Sequence, residues 1–149
     1  MIVLIGTDGS DDAIASARRG RELLASDATV HLVCVAEPPV VATSGMESGF
    51  TGGVATADEI DAAWTAVTTQ ADAVLVRTAA ELDGEVVARV VRGAPGPALC
   101  DLAAELGADA VVVGSRGLGA IRRALLGSVS TYVVNNAPCP VVVVRAGAD

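Results

Sequence analysis

Gly114, Gly117 and Gly119 crowd one short stretch, Val113-Gly114-Ser115-Arg116-Gly117-Leu118-Gly119, and Leu126-Gly127-Ser128-Val129-Ser130 follows a few residues later. The stretch leaves an apolar run and enters a helical pattern. Glycines let a backbone turn tightly and approach a ligand with no Cβ in the way. Gly127 and Ser128 fall at the amino end of the helix. Free amides at such an end point outward, and the dipole favours an anion there by roughly 0.3–1 kcal/mol, up to ~2 when partly buried. The hydroxyls of Ser128 and Ser130 can add hydrogen bonds to phosphate oxygens. This is the chemistry of a phosphate cradle built from backbone. The plainer alternative is a tight loop in which Ser128 only caps the helix.

What is absent narrows the chemistry. The sequence has no lysine; all ten of its basic residues are arginines. A Walker A loop needs a lysine on the phosphates, so that class of NTPase is excluded, as are Schiff-base enzymes. His31 is the single histidine, which rules out His-rich metal sites. Cys34, Cys100 and Cys139 lie far apart with no CxxC spacing, against structural zinc and a disulfide framework. An odd cysteine count fits a reducing cytoplasm, the expected location. The net charge of -8 argues against nucleic acid and anionic membranes as partners. One nucleotide remains compatible, because a few amides and an arginine can hold it.

The elements that must position the cradle can be read from periodicity. Runs at 2–7, 29–36, 85–91, 110–114 and 140–145 are rich in β-formers. Four are nearly continuous apolar runs, the pattern of strands buried on both faces of a parallel sheet. The run at 85–91 carries Arg89 and reads as an edge. Helical patterns lie between them. Ser10 caps the first, with Asp11 and Asp12 in its opening turn. Thr56 and Glu59 have capping-box spacing and open the second, with a stripe of Ile60, Trp64, Val67, Ala71, Val74, Leu75 and Leu82. Pro95-Gly96-Pro97 opens the third, and Gly107 stops it. The fourth runs from about 128 to 135, with Val129, Tyr132 and Val133 inward. Strict alternation of this kind predicts one α/β domain over 1–149: a doubly wound, five-stranded parallel sheet with helices on both faces. Ligands bind such sheets beyond the carboxyl ends of the strands, where the winding reverses. Residues 37–55 are rich in Gly, Pro, Ser and Thr and lack periodicity. They read as a flexible loop, either a flap over the site or a plain insertion. Met1 to Ile5 reads as the first strand rather than as a leader.

The spacing Gly114-x-x-Gly117, nine residues, Gly127-Ser128 resembles the ATP-binding signature of the universal stress protein family. Gly6-Thr7-Asp8-Gly9-Ser10 resembles the family's first strand and turn. The stretches from Asp109 to Gly117 and from Ala137 to Val144 resemble its fourth and last strands. The resemblance implies strand order 3-2-1-4-5 and bound ATP, with Mg or Mn. It implies that Gly6, Thr7 and Asp8 lie against the adenosine and that Val35 lines the adenine pocket. Gly114 and Gly117 would approach ribose and phosphates, and Gly127, Ser128, Val129 and Ser130 would hold the phosphates, with Arg116 assisting. It further implies a homodimer through the valine-rich last strand, an unnamed protein partner, and a stress-response or regulatory role with at most weak ATP hydrolysis. A slow ATPase or phosphate-transferring enzyme, and a module for AMP or cyclic AMP, are the alternatives.

The remaining candidates have blander readings. Asp8 either serves the site or caps the turn into the first helix. His31, at the start of the second strand, reads as structural. Cys34 reads as a small core residue, and Cys139, between two prolines, as structural, with a redox role as the alternative. Arg122 and Arg123 either meet phosphates or form a solvated face.

Overall fold

A computed structural model describes residues 1–24, 27–40, 55–117 and 126–146. Leu118, Gly119, Arg122, Arg123 and most of the 37–55 loop lie outside the described residues, so the readings given to them concern sequence alone.

The apolar runs form strands β1 (Ile2–Gly6), β2 (Thr29–Ala36), β3 (Val86–Arg92), β4 (Ala110–Gly114) and β5 (Val141–Val144). All neighbours pair in parallel, in the order β3-β2-β1-β4-β5. Helices α1 (Asp11–Glu22), α2 (Ala57–Ala79), α3 (Pro95–Leu106) and α4 (Ser128–Asn136) alternate with them. The strand with Arg89 is an edge, as expected, and so is the valine strand β5.

Period-two alternation divides the core between the faces of the sheet. Val3 and Ile5 of β1 and Val112 of β4 pack with Ala17 of α1 and with Ala71 and Leu75 of α2. Leu4, Val111 and Val113 face the other way, toward Leu99, Leu102 and Ala103 of α3 and Val133 of α4. Removing either face's apolar surface from water is worth roughly 25 cal/mol per Å². Both faces of β1 are fully buried, which is why its run shows no polar alternation.

Local chemistry sets the helix ends. The Ala13 amide donates to Ser10 Oγ at 3.2 Å, capping α1. The Thr56–Glu59 capping box forms in both directions. Gly107 closes α3 in the left-handed conformation, φ 58°. Two expectations needed adjustment. Leu82 is buried, but in the turn after α2 rather than on its stripe. Tyr132 is 41% exposed rather than inward. Its ring lies along α3 at Gly96, where a Cβ would come within 2.8 Å of it, so one flank is covered and the other faces solvent.

Candidate functional site

The chain winds from β1 into α1 on one face of the sheet and from β4 into α4 on the other. Adjacent strands feeding opposite layers leave a crevice beyond their carboxyl ends. A cleft of about 300 Å³ occupies that place. Gly6, Thr7, Asp8, Val35, Gly114, Arg116, Gly117, Gly127, Ser128, Val129 and Ser130 all line it. The fold thus brings every expected site residue to one surface. Ala13, Val33, Glu37, Pro95, Leu99 and Val113 line it too. Leu99 belongs to the core as well as to the cleft, a double role that no motif in the sequence signals. It is 3% exposed, and its Cδ1 lies 3.1 Å from where a Cβ on Gly6 would stand.

Three helices begin at this cleft, and their first amides differ. At α1, Ser10 takes one amide and Asp11 and Asp12 answer the dipole. At α3, Pro95 and Pro97 have no N–H to give, leaving Gly96 as the donor among the first three residues. At α4, Gly127 is the cap residue, no side chain caps the helix, and no acidic residue lies in the first turn. Among the described residues, the N–H groups of Ser128, Val129 and Ser130 therefore form the one complete set of helix-start donors on this cleft. A negatively charged group suits that place best.

The glycine spacing has local causes. The Gly127 amide donates to Ser115 O at 2.8 Å, folding the start of α4 back over the end of β4. A Cβ on Gly117 would stand 2.3 Å from Asp8 Oδ2, so the two loops meet where only glycine fits. A Cβ on Gly114 would press on Arg116 O at 3.1 Å and on Ser16 Oγ at 3.2 Å.

The polar side chains divide into occupied and open ones. Asp8 Oδ1 accepts from the Ser10 amide at 3.0 Å and from the Ser10 hydroxyl at 2.7 Å. Asp8 thus shapes the turn into α1 and also lines the cleft. The Ser130 hydroxyl was expected to reach a phosphate. Instead it is buried and donates to Gly127 O at 3.0 Å, so Ser130 offers its amide rather than its hydroxyl. Ser128 is exposed.

Groups away from the cleft behave as structure. The His31 side chain is buried, and its Nδ1 accepts from Arg89 Nε at 2.9 Å. Burial, and then the Arg89 charge, lower its pKa and keep it neutral. Burial, with the Asp8 and Asp72 carboxylates adding, pushes the Cys34 thiol up to about 11, which removes it as a nucleophile. Among the described residues no three His, Cys, Asp or Glu side chains converge on a metal position. Among those residues, too, no helix is long and apolar enough to cross a membrane.

The chain matches the Universal stress protein family over residues 1–145. A universal stress protein of Mycobacterium bovis is 34% identical over 154 residues, covering 97% of this chain and 48% of that protein. One from Thermus aquaticus is 47% identical over 58 residues, covering 39% of this chain and 42% of that protein. The matched span is thus less than half of each of these two relatives. Among solved structures, a universal stress protein in complex with cAMP shares 30% identity at a TM-score of 0.62, covering 99% of this chain and 98% of that one.

Proposed function

The chain belongs to the universal stress protein family, and on that premise we propose that it binds ATP in this cleft and acts as a nucleotide-dependent regulatory protein of the stress response. The observation that carries the proposal is the uncapped start of α4 facing Asp8 across a crevice with apolar walls. A nucleotide needs both halves: donors for phosphate, and an apolar slot for the base. In this reading the amides of Ser128, Val129 and Ser130 take phosphate oxygens and Arg116 adds charge. Gly114 and Gly117 allow close backbone approach. Val35 and Leu99 face the base. Asp8, beside Gly6 and Thr7, meets the ribose side and is the described carboxylate best placed to share Mg or Mn with the phosphates. A divalent ion bound there would neutralise phosphate charge. The valine edge strand β5 offers unpaired backbone for a second copy, so we place the homodimer contact there.

A second reading, an AMP or cyclic AMP module, is favoured by the cAMP complex of the 30% identical relative. The same amides would hold a single phosphate. Denaturing freshly purified protein and chromatographing the supernatant tests both. ATP near one per chain supports the first reading; AMP or cyclic AMP supports the second. A protein that arrives empty and binds none of the three when they are added excludes both.

A further inference from the structure

The turn over residues 7–10, which carries Asp8 into the cleft, does not stand alone. It lies against α2, about seventy residues later in the chain, through three separate contacts. Arg77 Nη2 donates to Gly9 O. Thr78, which is fully buried, gives its hydroxyl proton to Val74 O at 2.9 Å. The 3.3 Å contact between the Thr7 and Thr78 hydroxyls therefore has Thr7 as donor. That leaves Thr7 Oγ1 to accept the Gly9 amide at 3.2 Å. Finally, Gly9 has φ 77°, and a Cβ there would stand 2.8 Å from Val74 and 3.0 Å from the Arg77 guanidinium. The turn is pressed flat on α2 in a conformation that glycine alone adopts readily.

We propose that Arg77 and Thr78 of α2 are positioning residues for the nucleotide site, fixing the 7–10 turn and through it the Asp8 carboxylate. The inference rests on the binding site proposed above. Neither side chain lines the cleft. They act on Gly9 O and the Thr7 hydroxyl, in the two residues that flank Asp8, so their loss leaves every ligand contact in place but loosens one wall. A site held by such supports loses affinity when the support is loosened, even with its contact residues intact.

The test compares affinity with stability in the full chain. ATP, AMP and cyclic AMP are titrated calorimetrically into wild type, Arg77→Met, Thr78→Val, Arg77→Lys and Arg21→Met, and each protein is melted. Arg21 is the control: its Nε donates to a loop carbonyl, Asp83 O at 3.1 Å, at the far end of α1. For whichever nucleotide wild type binds best, Arg77→Met should bind about tenfold and Thr78→Val about threefold more weakly. Arg77→Lys, which still donates to Gly9 O, should recover most of the loss. Arg21→Met should lower the melting temperature about as much as Arg77→Met while leaving affinity within about twofold. Wild-type affinity in a folded Arg77→Met protein overturns the inference and leaves the binding site standing. Should Arg77→Met not fold, the near-isosteric Thr78→Val decides in the same way. Equal weakening by Arg21→Met would trace the effect to global stability and also overturn the inference. A wild type that binds none of the three nucleotides overturns the site itself, and the inference with it.

Discussion

Helices α1 and α4 start at the same cleft and start in opposite ways. α1 carries its own serine cap and two aspartates in its first turn, and the carboxylate before it is tied to the cap. α4 has a glycine cap, no acid in its first turn and, among the described residues, no side-chain cap. A cap of the first kind is worth about 1 kcal/mol. The chain keeps that stabilisation on one side of the crevice and forgoes it on the other. In the proposed reading the difference separates scaffold from recognition: α1 is complete without a ligand, and α4 would be completed by one.

The comparison can be broken outright at the point where the two loops touch. Gly117→Val would place a branched side chain on the Asp8 carboxylate; binding should be lost, with about 1–3 kcal/mol of destabilisation. Undiminished affinity in a folded Gly117→Val protein would mean that the ligand sits elsewhere. Gly127→Asp would give α4 a start like that of α1. The backbone at Gly127 is extended and the nearest atom to an added Cβ is 3.6 Å away, so aspartate fits. Stability should rise by a few tenths to about 1 kcal/mol while nucleotide binding weakens by about thirtyfold. A melting point and an affinity that move together would refute the opposition drawn between the two helices. Ser10→Ala removes the cap of α1 and one of the two hydrogen bonds that Asp8 Oδ1 accepts from Ser10, leaving the bond from the backbone amide. It should cost about 1 kcal/mol in denaturant melts and only a fewfold in affinity. The smallest effect lies away from both helices. His31 is held neutral with its pKa lowered from 6.5, so below that value the unfolded chain takes up the proton first. Stability is therefore full above about 6.5 and declines as pH falls through it. Melts at stepped pH should show the decline, and His31→Gln should flatten it.

Much of this was legible in the residues because short-range chemistry decided it. Continuous apolar runs such as the one at 110–114 specify a strand buried on both faces, and Ser10, Thr56, Pro95 and Gly107 mark helix ends by their own hydrogen bonding or φ. The glycine spacing brings Gly114, Gly117, Gly127 and Ser128 to the cleft lining because they flank the end of β4 and the start of α4, which follow one another in the chain. What escaped was long-range. Leu99 carries no signal of its own, because its place at the cleft depends on Gly6 of β1 lying against it. Gly9 reads as a free turn until α2 is folded against it. The Ser130 hydroxyl looked available because its acceptor, Gly127 O, depends on how the loop closes. Tyr132 looked inward because its spacing says which face it occupies, not how far α3 extends over it.

The cleft arises from the winding of the chain, since strands β1 and β4 send their helices to opposite layers. It was not hollowed out of either half-core. Val3, Ile5 and Val112 pack on one side of the sheet, Leu4 and Val111 pack on the other, and none of the five lines the crevice. A domain built this way can vary its rim, and what that rim offers to a passing molecule, without giving up the interior that holds it together.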